Sequence, residues 1–138
     1  MRHPDDPLFG HAVLDETPEG ITVVRLTHGC SFEDVARLMD ELVGRNAYRY
    51  CLYDLRGIVL SFTPADLRQI ALYARSVFTE PNRVAWVTDS DLSYGLLRIL
   101  SAYRGQEGLS VSRVFRLYEN ARLWLEKEKL LLDGALVS

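Results

Sequence analysis

The side chains of this 138-residue chain that could do chemistry gather in two short stretches. Asp54, Arg56, Ser61 and Thr63 stand in DLRGIVLSFTP, residues 54–64, and Asp89, Ser90 and Tyr94 stand in DSDLSY, residues 89–94. Two carboxylates such as Asp54 and Asp89 can hold Mg²⁺ or divide acid and base roles, which gives a Mg²⁺-dependent phosphate enzyme as one reading. Aspartates at such places also accept backbone N–H bonds within their own loops. Arg56 can neutralise Asp54 from two residues away, and that structural role is the one expected. Thr63 precedes Pro64, and Asp66 follows three residues later, the chemistry of a helix N-terminus. The hydroxyl of Ser61 or Thr63 is therefore either a phosphate acceptor or, as expected for Thr63, a cap. Helices opening at Ser31, Thr63 and Ser90 each present free N–H groups to an anion, but no glycine-rich loop brings a backbone close to one.

Other templates for catalysis fail. The chain has no G-x-G-x-x-G, no G-x-x-x-x-G-K-[ST], no G-x-S-x-G and no H-E-x-x-H. His3, His11 and His28 all lie in the first 28 residues, far in sequence from both stretches. His28 near Cys30 is the closest approach to a nucleophile–base pair, and a satisfied loop histidine is expected there. Cys30 and Cys51 lack metal-ligand spacing, and two thiols cannot make a four-thiolate site. No catalytic residue, metal or cofactor is expected. The net charge of −3 gives no basic footprint for nucleic acid. MRHPDDPLFG lacks the apolar segment of a signal peptide, and no apolar run approaches the roughly 20 residues of a membrane span. A soluble, cytoplasmic protein with reduced cysteines is the expectation.

The elements that must position these residues follow from periodicity. HAVLDE (11–16) and ITVVRLTHG (21–29), joined by TPEG, predict an antiparallel hairpin. SFEDVARLMDELVGR predicts a helix capped by Ser31, with Phe32, Val35, Ala36, Met39, Leu42 and Val43 inward. YRYCLYDL (48–55) has almost no alternation, as in a strand covered on both faces. After Thr63, the positions Leu67, Ile70, Ala71, Ala74, Val77 and Phe78 trace one helical stripe. RVAWVTDS (83–90) is a further strand. A third helix capped by Ser90 or Asp91 follows, with Leu92, Leu96, Ile99, Leu100 and Tyr103 as its buried face. VSRVFRLY (111–118) and ENARLWLEKEKLLL close the series, with Ala121, Trp124 and Leu125 inward. The order is ββαβαβαβα in one domain spanning 1–138: a polar leader at 1–10, a core at about 12–126 and a tail at 127–138. The fold class is α/β, a mostly parallel sheet of about five strands.

Four stretches in this order, GITVVRLTHGCSFEDVARLMDELV, YDLRGIVLSFTPADL, VAWVTDSDLSYGLLRIL and VSRVFRLYENARLWL, resemble the bacterial SpoIIAA-like proteins of the STAS and CRAL-TRIO-like group. DLRG closing a strand, YGLLR opening a helix and VFRLYENARLWL carry most of the likeness. The resemblance implies a right-handed β–α superhelix with most helices on one face. It also implies regulatory binding of protein partners, as in STAS domains, or retention of an apolar small molecule, as in CRAL-TRIO domains. The phosphorylated serine of anti-sigma-factor antagonists does not carry over, because Ser61-Phe62-Thr63-Pro64-Ala65 lacks the D-S-S-G core.

Two functional expectations follow. One is a non-enzymatic module that binds a protein partner or itself, as a homodimer, through the loop residues Asp54, Arg56, Ser61, Thr63, Asp89, Ser90 and Tyr94. The other is a carrier or sensor of a small apolar or amphipathic ligand, suggested by Tyr50, Tyr53, Tyr73, Phe78, Trp86 and Tyr94, rings that equally fill a core. If most helices share one face, the second face needs cover. Arg25, Tyr53, Trp86, Arg113 and Arg116 are candidates for an interface there, against internal cover by the hairpin, the leader and LLLDGALVS.

Overall fold

The computed structural model describes residues 12–26, 31–105 and 109–137, the last three of these without their side chains. The first described elements are strands β1 (Ala12–Glu16) and β2 (Thr22–Leu26), paired antiparallel with Ala12 opposite Leu26. Their turn is closed by the Thr17 and Gly20 N–H groups, which donate to the carbonyls of Ile21 and Thr17. Gly20 has φ +86°, and a Cβ there would stand 3.3 Å from Lys129 Cε. Glycine suits this position twice over.

Helix α1 (Phe32–Gly44), strand β3 (Tyr50–Asp54), helix α2 (Pro64–Val77), strand β4 (Asn82–Val87), helix α3 (Asp91–Arg104), strand β5 (Ser110–Phe115) and helix α4 (Tyr118–Val137) follow in turn. The sheet order is β1-β2-β3-β4-β5, with every pair after the first parallel. Each crossover adds its strand beside the previous one. Crossovers of one hand that always advance in one direction lay their helices on one face. Accordingly α1 packs on α2 and α2 on α3. The expected α/β class, with its antiparallel first strand and parallel remainder, is what the chain adopts.

Two cores result, one on each side of the sheet. Under α1–α3 lie Val24, Cys51, Val84 and Trp86 of the strands, with Met39, Ile70, Leu97 and others above them. On the opposite face Ile21, Leu52, Ala85 and Val87 meet Ala121 and Leu125 of α4. Period-two alternation within β3 and β4 serves both layers at once. This explains why β3 reads as an unbroken apolar run.

Several element details differ from the sequence expectations. Tyr53 and Trp86 pack under α1–α3 rather than on the second face. That face is covered by α4, which continues to Val137, past the limit expected for the last helix. Strands β3, β4 and β5 end earlier than read, at Asp54, Val87 and Phe115, because the residues beyond belong to the connection to α2, to the turn and cap before α3, and to the start of α4. In α3 the buried residues are Ser93, Leu97, Leu100 and Arg104, while Leu92 and Ile99 are 60% and 43% exposed. The apolar stripe is displaced because a serine and an arginine occupy inward positions. Val43 is likewise exposed, and Leu38 takes the inward place in α1.

Capping follows the sequence closely. Ser31 Oγ accepts from Asp34 N–H, and the Asp34 carboxylate accepts from Ser31 N–H. Thr63 and Asp66 repeat this box at α2, at 3.1 and 2.9 Å. Replacing Thr63 by Ala should cost about 1 kcal/mol in urea denaturation, and Thr63→Ser should restore most of it. Equal stability of the Ala variant would mean the hydroxyl serves something other than the cap.

Candidate functional site

The carboxyl edge of the parallel strands is where open α/β sheets bind ligands, and β3 and β4 are neighbours there. Asp54 ends β3, largely buried, and forms a two-pronged ion pair with Arg56: Nε donates to Oδ1 at 2.8 Å and Nη2 to Oδ2 at 2.7 Å. The Arg56 N–H also donates to Oδ1. Burial alone would raise the Asp54 pKa, but the hydrogen bonds and charge of Arg56 prevail and hold it below its ordinary value of 3.8. Arg56 also lies over the Tyr118 ring, 5.1 Å from its centroid. One loop residue on, the Gly57 N–H donates to Asp89 Oδ1 at 3.1 Å. Both carboxylates thus hold the 55–58 loop, the structural role expected of them. Among the described residues, no three His, Cys, Asp or Glu side chains are grouped so as to hold a metal ion.

Of the remaining candidates, Ser90 is engaged in the same way. Ser90 Oγ caps α3 by accepting from the Ser93 N–H, and the Ser90 N–H donates to Thr88 Oγ1. Tyr94 lies beneath Arg116, 4.3 Å from ring centroid to guanidinium carbon, and Arg116 pairs with Asp91 at 2.8 Å. Ser61 is exposed and stands apart from Asp54 and Asp89 in the connection to α2. The structure brings Asp54, Arg56 and Asp89 to one loop, and Ser90 and Tyr94 to the start of α3. It joins neither group to Thr63. His3, His11, His28 and Cys30 lie outside the described residues.

The hydroxyl of Ser93 does a job its sequence position hides. It accepts the Leu60 N–H at 2.9 Å and donates to the Ile58 carbonyl. An inward serine in α3 thereby anchors the whole 54–63 connection, satisfying backbone groups that would otherwise be buried without partners.

Beneath that connection lies a cavity of about 80 Å³ between the sheet and α1–α3. Tyr53 and Trp86 form its floor, their rings 6.4 Å apart on paired strands. Met39, Ile70 and Leu97 stand over them, and the partly exposed Leu26, Val35 and Phe62 mark its rim at the carboxyl edge. None of the seven loop candidates lines it; Asp54 and Arg56 instead border a larger surface cleft of about 510 Å³, beside the exposed Asp15 and Arg25.

Two lining residues are charged: Asp34, in the first turn of α1, and Arg104 at the far end of α3. Arg104, 8% exposed at the last turn of α3, donates from Nη2 to Asn82 Oδ1 at 3.2 Å. Its guanidinium carbon stands 5.6 and 6.0 Å from the ring centroids of Phe78 and Trp86. Burial depresses its pKa, partly offset by Tyr53 and Cys51. Burial likewise raises the pKa of Tyr53, and it pushes the Cys51 thiol up to about 12. The Cys51 S–H donates to the Ala47 carbonyl, as expected of a structural thiol. Comparison with family models, curated proteins and solved structures finds no match for this chain. The site is therefore read from its own residues.

Sequence reasoning missed Arg104 because a basic residue in a helix's last turn is ordinarily a solvated complement to the helix dipole. The available signal was spacing. Ser93, Leu97, Leu100 and Arg104 fall at i, i+4, i+7 and i+11, which makes a buried stripe if the arginine is accepted as part of it.

Because the folded pKa of Asp54 lies below the unfolded one, its pairing stabilises the fold fully above pH 3.8 and is lost as pH falls through the folded value. Asp54→Asn should therefore be less stable than the wild type at pH 7. The gap should shrink in urea melts taken progressively below pH 4.

Proposed function

We propose that this protein is a non-enzymatic module that takes up a small apolar or amphipathic ligand between its sheet and helices α1–α3. The observation that carries this reading is the apolar cavity over Tyr53 and Trp86, opening toward the carboxyl edge of the parallel strands. Small-molecule sites are typically concave and apolar with few polar groups, and this one has that makeup. The loop chemistry supports the same reading. Asp54 and Asp89 hold backbone N–H groups of the connection over the cavity, and Thr63 and Ser90 cap the helices on either side of it, so these polar side chains are spent on architecture. The ordered likeness to SpoIIAA-like and CRAL-TRIO-like proteins points the same way, and membership of that group is part of the proposal. No helix among the described residues is long and apolar enough to cross a membrane. The free, buried Cys51 suits a reducing compartment, so the reading is of a cytoplasmic protein.

The test uses tryptophan fluorescence. The chain has two tryptophans, so Trp124→Phe leaves Trp86 in the cavity wall as the sole reporter. Titration with pentanol should shift its emission saturably, and Leu97→Phe, which fills the cavity, should abolish the shift while keeping the circular dichroism. A linear response identical in both proteins would overturn the reading.

A second reading, self-association, is favoured by the outer side of α4. Leu123 and Leu130 are 51% and 76% exposed and share one face seven residues apart, opposite the buried Ala121. Glu126 and Lys127 lie between them. In a two-fold antiparallel pair, Leu123 would meet Leu130 of a second copy and Glu126 would meet Lys127, a self-complementary pattern. Light scattering should then report a dimer that Leu130→Glu converts to a folded monomer. A wild-type monomer at tens of micromolar would exclude it.

A further inference from the structure

We propose that the ligand of this cavity is a short-chain carboxylate, its headgroup bound by Arg104 and its tail lying over Tyr53 and Trp86 toward the rim. The proposal rests on the cavity being a ligand site and adds the chemistry that such a ligand must have.

Arg104 is a cation held out of water with little to hold it there. Its guanidinium carries five N–H donors in a rigid fork, yet among the described residues it forms a single hydrogen bond, to Asn82 Oδ1. That oxygen is shared with the Ser110 hydroxyl, which donates to it at 2.9 Å. Among the described residues no carboxylate pairs with Arg104, whereas Arg56 and Arg116, both less buried, each have one and Arg122 has two. An arginine cannot escape the cost of burial by losing its proton, as a lysine can. The aromatic faces of Phe78 and Trp86 soften that cost without supplying an anion. A guanidinium largely withdrawn from bulk water and held by packing loses little further hydration when an anion arrives. Its planar fork matches the two oxygens of a carboxylate.

The walls set the rest of the molecule. Leu26, Met39, Ile70 and Leu97 make the wall apolar along the tail, and Asp34 and Tyr53 are the lining residues besides Arg104 that carry strongly polar groups. A polar substituent against those four apolar residues would be buried unpaired, which favours an apolar tail. The volume of about 80 Å³ is smaller than the ~150 Å³ of a cavity that admits benzene. A tail of roughly three to five carbons is what such a space holds.

The experiment compares matched probes in the Trp124→Phe protein. Pentanoate should bind about tenfold or more tightly than pentanol by Trp86 fluorescence, a preference that the added ion pair supplies. Within the straight-chain series from acetate to octanoate, affinity should peak near butyrate and pentanoate. Arg104→Met should erase the preference for the acid while leaving pentanol binding intact. Nitrogen-detected NMR of the wild-type guanidinium provides a second readout that needs no substitution: the Arg104 side-chain signals should move with pentanoate and not with pentanol. Equal affinity for acid and alcohol, or unmoved Arg104 signals in the pentanoate-saturated protein, overturns the carboxylate proposal while the cavity reading stands. Affinity still rising at octanoate overturns the short tail. If neither probe binds, the cavity reading falls and takes this proposal with it.

Discussion

A parallel sheet has to be covered on both faces, and almost everything else in this molecule follows from how that is achieved. Three crossover helices occupy one side because each strand is added beside the last. Left alone, Leu52, Ala85 and Val87 at the sheet centre would then face water. Helix α4 removes them from it with Ala121 and Leu125. The choice of residues is physical. Alanine at 121 and at 85 lets the helix approach the strands closely, and Leu125 fills the space beside them. Along its C-terminal half polar contacts fix the helix. Tyr50 donates to Asp133 at 2.8 Å, Lys129 pairs with the same carboxylate, and Arg83 lies 3.5 Å from Glu128. The tyrosine, its pKa pushed up to about 12 by burial and by Asp133, is a donor throughout the physiological range.

With both faces closed, the sheet's carboxyl edge is where chain and solvent meet, and there the polar groups are spent on architecture. The 54–63 connection has no regular structure of its own, so its N–H groups need side-chain partners. Asp54, Asp89 and Ser93 supply them, at Arg56, Gly57 and Leu60 respectively. These three acceptors come from the end of β3, the loop after β4 and the first turn of α3. The connection is consequently tied to the elements around it at several points. That is the behaviour of a fixed roof at the cavity's edge. Fixing it leaves the interior between Tyr53, Trp86 and α3 incompletely filled.

The sequence carried the fold more plainly than the site, for reasons visible in individual residues. Local signals survived intact: Ser31 with Asp34 and Thr63 with Pro64 and Asp66 are short-range chemistry, complete within four residues. The unbroken apolar run of β3 correctly implied cover on both faces. The register of Tyr53 and Trp86 was hidden, because a strand buried on both sides has no polar face to say which way each residue points. In α3 the periodicity pointed to Leu92 and Ile99, since hydrophobicity is only a proxy for burial. Ser93 and Arg104 are inward for reasons of hydrogen bonding and charge that no apolar pattern encodes. The loop residues Asp54, Arg56 and Asp89 were found as a group, yet the cavity lies on the other face of the same strands.

The Arg104 site bears on why such an arrangement would persist. A buried ion without an opposite charge is among the more destabilising features a small domain can carry, of the order of several kcal/mol after relaxation. A leucine or methionine at this place would continue the apolar stripe begun by Leu97 and Leu100. Structural need is met only weakly by the arginine, since Asn82 is already held through the Ser110 hydroxyl and through its own amide, which donates to the Glu80 carbonyl. Stability therefore argues against an arginine at 104, and local hydrogen bonding does not require one. Its position is accounted for if the relevant state of the protein includes an anion. In that state the unpaired guanidinium is no longer a defect in the core but half of an ion pair whose other half arrives with the ligand, and the energy withheld from folding reappears as affinity.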